Sequence, residues 1–215
     1  FQRIRKQPIR VADGSALVTG VLLGLILPPT LPSWMVILGS AFAIAIGKQV
    51  FGGLGQNPFN PALVGRAILT VSFSTAMTAW TRPFDAITAA TPLAIGEAGA
   101  RIPDLFFGSV AGSLGETSAL AILLGGIYLF YRGYLDYRVP VGIFASVIAV
   151  SLFTGQDVFF HLLSGSLLFG AVFMATDPVT SPITKAGRWI FGIGIGLIIM
   201  LIRTWGSYPE GVTYA

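Results

Sequence analysis

Asn57 and Asn60 lie three residues apart in the stretch Phe51-Gly-Gly-Leu-Gly-Gln-Asn-Pro-Phe-Asn-Pro-Ala-Leu-Val-Gly-Arg66. A carboxamide offers two donors and an acceptor, and a helical turn would aim two amides at this spacing the same way. Such a pair suits the edge of a uracil-like ring, a flavin's for example. The same letters also read as a capped loop, with Asn60 as N-cap and Pro61 at the first helical position. The stretch holds four glycines and two prolines in sixteen residues. Glycine adopts backbone that other residues avoid, and proline removes a donor. At membrane depth, irregular backbone is tolerated only where it lines a cavity or is buried in protein.

A second stretch with chemistry in it is Asp85-Ala-Ile-Thr-Ala-Ala-Thr-Pro-Leu93. By residue type alone it is an Asp- and Thr-capped loop ended by a proline. Pro92 disfavours helix at Thr91, so Thr91 is expected to be extended and accessible. Asp177, between Thr176 and Pro178, reads either as a turn residue or as part of an ion path. His161, four residues beyond Asp157, reads as an interfacial cap or as a proton relay. Lys48 follows Gly47, but Gln49 stands where a phosphate-binding loop needs Ser or Thr, so that loop is excluded. The chain has no cysteine and one histidine, which excludes disulfides, iron–sulfur ligation, thiolate metal sites and His-rich metal sites within it.

The elements that must position these residues are apolar. Hydrophobic residues make up 54% of the chain and charged ones 10%, and the mean hydropathy of +0.80 places it among polytopic membrane proteins. The expected class is therefore all-α, a helical membrane protein with broken or half helices. About seven spans are expected: 15–27, 34–47, 62–80, 117–131, 140–153, 159–174 and 187–205. The first is short for a membrane span and is stopped by Pro28, Pro29 and Pro32. The stretch 81–115 is polar and separates the third span from the fourth. With no initiator Met, the chain is expected to be a piece of a longer protein.

Basic residues give an orientation. With the N-terminus inside, Arg3, Arg5, Lys6, Arg10, Lys48, Arg66, Arg132, Arg138, Lys185 and Arg188 fall on the inner side, and Arg82, Arg101 and Arg203 on the outer. Ten against three obeys the positive-inside rule. The N-terminal basic cluster adjoins an apolar run, so it reads as an anchor to membrane lipid rather than a nucleic-acid patch. Ser15-Ala-Leu and Ser118-Ala-Leu open similar runs. They are three spans apart, which suggests an inverted repeat, a plan that places ligand sites near helix breaks.

Both chemical stretches resemble one family. The spacing of Asp85, Thr88, Ala90 and Thr91 resembles the pattern read by the transferase that esterifies FMN onto threonine in membrane subunits of Rnf complexes and sodium-translocating NADH:quinone reductases. Thr91 is the acceptor by position; Ala86 stands where glycine is more usual. The run Gly52-Gly-Leu-Gly-Gln-Asn-Pro-Phe-Asn-Pro-Ala62 resembles a signature of the same RnfD/NqrB family. The Thr-Pro-Leu ending at 91–93, Ala175-Thr-Asp-Pro-Val-Thr-Ser-Pro182 and Tyr208-Pro-Glu-Gly-Val look closer to its Rnf branch. The likeness runs the whole length of the chain, with the family's first spans and its last one or so missing.

The resemblance implies a fold like that of urea transporters. It also implies covalent FMN on Thr91 within an extracytoplasmic segment 81–115, and non-covalent riboflavin beside Asn57 and Asn60. The function it implies is membership in an ion-translocating electron-transport complex of the bacterial inner membrane, as a component inactive alone. Its implied partners are the rest of that complex, a flavin transferase and lipid, with no nucleic acid. The rivals are the NqrB-type component of a sodium pump, a flavin-free solute channel on the same scaffold, and a structural anchor for a redox partner. No intramembrane carboxylate pair stands out from the sequence.

Overall fold

A computed structural model describes residues 13–82, 89–96, 101–206 and 211–215. Among these it is helical, with no β-strand. The helices are α1 (Ser15–Ile26), α2 (Ser33–Ile44), α3 (Pro61–Ser72), α4 (Ser74–Met77), α5 (Pro92–Ile95), α6 (Ile102–Phe107), α7 (Ala119–Tyr131), α8 (Arg138–Thr154), α9 (Val158–Leu163), α10 (Leu167–Phe169) and α11 (Lys185–Trp205). π-Helical turns Ala45–Gln49 and Gly170–Met174 extend α2 and α10. The basic N-terminal residues Arg3, Arg5, Lys6 and Arg10, together with Asp85, Thr88 and Tyr208-Pro-Glu210, lie outside the described residues.

Most helices are half-length. A 12-residue helix such as α1 or α3 rises about 18 Å, against a hydrocarbon layer of about 30 Å. Only α11, with 21 residues, is long and apolar enough to cross by itself among the described residues. Two expected spans are interrupted. The third breaks at Phe73 (φ −136°, ψ 51°) between α3 and α4. The sixth breaks at Ser164–Ser166, where Gly165 takes φ 66°. Carbonyls freed at such a break need donors from a neighbour. Arg203 of α11 supplies them, donating to the His161 and Ser164 carbonyls at 2.7 and 3.0 Å.

The packing contacts fix the directions. α2 and α3 are antiparallel: Gly47 meets Pro61, Gly39 meets Leu69, and Trp34 meets the Phe73 ring edge-on at 5.3 Å. α8 and α11 run parallel at close approach, Val139 against Gly192 and Ile143 against Gly196. A Cβ added at Gly192 would lie 2.5 Å from the Val139 carbonyl oxygen. α1 and α7, the openings of the expected repeat, run in opposite directions. The outer face of the bundle is apolar, with Leu17, Ile37, Val71, Leu152, Phe153 and Ile190 exposed, as a lipid-facing surface should be.

Three placements differ from the sequence reading. Arg66, counted on the inner side, is 2% exposed and is ion-paired with Glu116. Arg203 is not a free outer charge but a clamp on the α9–α10 break. His161 does not cap: it is buried in the last turn of α9, while Asp157 accepts the Phe160 N–H at 3.0 Å. Stretch 81–115 is also not a plain polar loop. Leu105 and Ala111 are buried there, because α6 packs on α7 and α9.

Candidate functional site

The loop carrying the asparagines reverses the chain between the π turn of α2 and the start of α3. Gly52, Gly53 and Gly55 take φ of 126°, 100° and 87°, left-handed backbone that glycine adopts freely. Asn60 caps α3, its Oδ1 accepting the Ala62 N–H at 3.0 Å, with Pro61 at the first helical position. Asn57 is buried and donates from Nδ2 to the Phe59 carbonyl at 3.1 Å. The two are therefore not aimed together by a helical turn; Asn57 lies in the bent loop and Asn60 at its junction with α3. Both line a cavity of about 340 Å³ shared with Lys48, Tyr134, Thr176 and Asp177, a size within the usual range for small-molecule sites. Asn60 spends its acceptor on the helix end, which leaves its amide N–H groups as donors to a ligand. Asp177 accepts the Val179 N–H at 3.2 Å and the Thr180 hydroxyl at 3.4 Å. The turn reading of Asp177 is thus realised, on the cavity wall.

Thr91 is extended, φ −66° and ψ 156°, as Pro92 requires. Its Oγ1 caps α5, accepting the Ala94 N–H at 3.4 Å. It is not accessible: 7% of its surface is exposed. Val110, Ala111, Glu116, Leu163 and Gly165 close around it, leaving a void of about 10 Å³. The sequence showed Thr91 in a polar, Ala-rich stretch and held no sign that the segment after α6 and the α9–α10 break close over it.

The two sites stand at opposite ends of the helical layer. Ser15, at the start of α1, lines the asparagine cavity. Near the other end of α1, the Leu25 carbonyl accepts the N–H of Gly115 at 2.8 Å, next to the Glu116 of the Thr91 void. The buried Arg66–Glu116 pair runs from α3 to the wall of the Thr91 void, with the Arg66 guanidinium 5.9 Å from the Trp80 ring centre. Sequence reasoning missed this pair.

At the asparagine end, Asp136 in the α7–α8 turn bonds Arg138 at 2.7 Å and also Arg188. Desolvation pushes its carboxyl up, but the Arg138 N–H and the two guanidinium groups outweigh that and hold it below the ordinary carboxylate range.

The profile of the NQR2, RnfD, RnfE family matches residues 1–215. The chain belongs to that family. It is 45% identical to the D-type subunit of the proton-translocating ferredoxin:NAD(+) oxidoreductase complex of Clostridium ljungdahlii, covering 100% of this chain and 72% of the relative. It is 49% identical to the D-type subunit of the Na(+)-translocating ferredoxin:NAD(+) oxidoreductase complex of Acetobacterium woodii, covering 100% and 70%. It is 41% identical to the D-type subunit of the ion-translocating oxidoreductase complex of Stutzerimonas stutzeri, over 96% and 71%. Membership in the NQR2, RnfD, RnfE family bears out the resemblance carried by the Asn57–Asn60 loop and by the Thr-Pro-Leu run at Thr91.

Proposed function

We propose that this chain is the D-type membrane subunit of an ion-translocating oxidoreductase complex. It would carry FMN esterified to Thr91 and riboflavin beside Asn57 and Asn60. The observation that carries the reading is the placement of these residues at the two ends of one helical layer, in a chain akin throughout to D-type subunits. Bound flavins supply one- and two-electron chemistry; the protein supplies position and electrostatics. Asn57 and Asn60 orient a ring edge with their amides. Thr91 offers the hydroxyl, and Asp85 and Thr88 complete the pattern a flavin transferase reads. Because Thr91 is closed over, the transferase acts before Val110, Ala111 and Glu116 pack on it, or on a form in which they have opened.

The partners are the other subunits of the complex, the transferase and the lipid of a bacterial inner membrane, which the apolar outer face suits.

The test is covalent flavin. In-gel fluorescence after denaturation should show a flavin band at this protein's position from cells with a working transferase. Thr91→Ala should abolish that band while the protein stays at normal abundance, and Thr88→Ala should at most reduce it. Mass spectrometry of the peptide from Asp85 to Arg101 should find FMN minus water on Thr91. Absence of the adduct from wild-type protein would leave the solute-channel reading in front.

A further inference from the structure

Beside the closed void at Thr91 lies a larger one. A cavity of about 440 Å³ is lined by Leu93, Gly155, Gln156, Phe160, His161 and Arg203. Leu93 belongs to the walls of both. The roughly 10 Å³ under Thr91 cannot admit a three-ring heterocycle, whereas the neighbour falls in the range of cofactor sites. One residue, Pro92, separates Thr91 from Leu93, at most about 7 Å of chain, a gap that a ribityl phosphate can bridge.

The lining has the chemistry of a ring site. The Oε1 of Gln156 is buried and has no hydrogen-bond partner among the described residues, an acceptor that costs stability until a donor meets it. An imide N–H of a ring edge is such a donor. Phe160 is buried and meets the His161 ring edge-on, centroids 5.4 Å apart, giving a rigid apolar wall. The Arg203 guanidinium is fixed at the cavity by its bonds to the His161 and Ser164 carbonyls. A fixed cation beside a redox ring favours the form carrying more negative charge.

The geometry points to this cavity as the seat of the isoalloxazine ring of the FMN on Thr91, with Gln156 binding the ring edge and Arg203 raising its midpoint potential. The inference rests on the Thr91 reading above. It assigns roles to three residues, Gln156, His161 and Arg203, that the flavin-attachment pattern does not contain.

The experiment uses the purified complex carrying Gln156→Leu, Arg203→Gln, Arg203→Lys or, as a control at the other end of the layer, Thr180→Val. Covalent flavin is counted by gel fluorescence. The absorption band and midpoint potential of the Thr91 flavin are read as the component missing from Thr91→Ala. Gln156→Leu and Arg203→Gln should keep the flavin at wild-type amount. The first should alter the band shape. The second should lower the potential, each tenfold loss of preference for the reduced form reading as about 30 mV for a two-electron couple. Arg203→Lys should recover most of that shift, and Thr180→Val should change neither quantity.

Wild-type band and potential in both Gln156→Leu and Arg203→Gln, with FMN present on Thr91, would overturn the assignment. Wild-type protein without FMN on Thr91 would overturn the Thr91 reading and this one together. Should Arg203→Gln prevent folding by releasing the α9–α10 break, Gln156→Leu alone decides, since its side chain holds no element in place.

Discussion

On the proposed reading Asn60 has two tasks, and they can be separated by one atom. Its Oδ1 ends α3, and its amide N–H groups are left for the cavity that the residue lines. Asn60→Asp keeps an oxygen for the cap and removes the donors, whereas Asn60→Leu also forfeits a cap worth about 1 kcal/mol. A buried partner left unpaired costs about 1–3 kcal/mol, and about 1.4 kcal/mol is a factor of ten in affinity. Asn60→Asp is therefore expected to lower extractable riboflavin roughly tenfold with covalent FMN unchanged; full retention of riboflavin in purified protein would reject the site.

Asp136 gives a pH test. Its folded pKa is held below the ordinary value of 3.8, so its stabilising contribution is complete above that value and is lost as pH falls through the folded one. Thermal melting of the detergent-solubilised complex should drop more steeply below about pH 4 in wild type than in Asp136→Asn.

The Asn60 cap and the extended backbone of Thr91 were legible because a cap and a pre-proline residue are decided by immediate neighbours. The burial of Thr91 was not, because it depends on Val110, Ala111 and Glu116 returning from downstream and on Leu163 and Gly165 at the α9–α10 break.

Among the elements, α8 and α11 make the closest pair. Lipid tails are as apolar as the side chains, so helices in a membrane associate through close packing and small residues rather than through hydrophobic burial. Gly192 and Gly196, four apart on α11, let the backbone of α8 approach. Gly196→Val or Gly192→Leu should push the helices apart and cost about 1–3 kcal/mol, as overpacking does. Gly194 has open space around its Cβ position, so Gly194→Ala should be nearly neutral. Comparing the melting of the three variants checks this; equal losses would show that the effect is helix propensity and not the interface. The spacing of these glycines was present in the sequence, but a partner helix cannot be named from one strip of small residues. Breaks were legible where proline or glycine clustered. The breaks at Phe73 and at Ser164–Ser166 were not, since both fall inside expected spans and no proline stands at either.

At the scale of the whole molecule, the helices place the Lys48, Arg132, Arg138, Lys185 and Arg188 end opposite the Thr91 end. If the basic end is cytoplasmic, cysteine at Ala94 should react with an impermeant label from outside, and cysteine at Gly133 should not. Both positions are exposed, and the background has no cysteine. The reverse pattern would invert the orientation and move Thr91 to the inner side. The all-α membrane class was legible from composition. The balance of charge was read with two errors of kind: Arg203 was taken as a topological signal when it clamps a helix break, and Arg66 when it is paired inside the protein. Its partner lies fifty residues away, beyond the reach of any periodicity argument.

That pair has a consequence for how the chain is made. Arginine at the centre of an inserting helix costs about 2.5–3.5 kcal/mol on translocon scales, and α3 has only twelve residues to offset it. The carboxylate that neutralises Arg66 is synthesised fifty residues later. α3 therefore cannot be released into lipid as a finished span when it leaves the ribosome; it has to wait at the insertion machinery until the start of α7 arrives. Glu116→Gln removes the carboxylate charge that faces Arg66. It should show as degraded, incompletely inserted protein in pulse labelling, while Arg66→Leu with Glu116→Leu should insert as well as wild type.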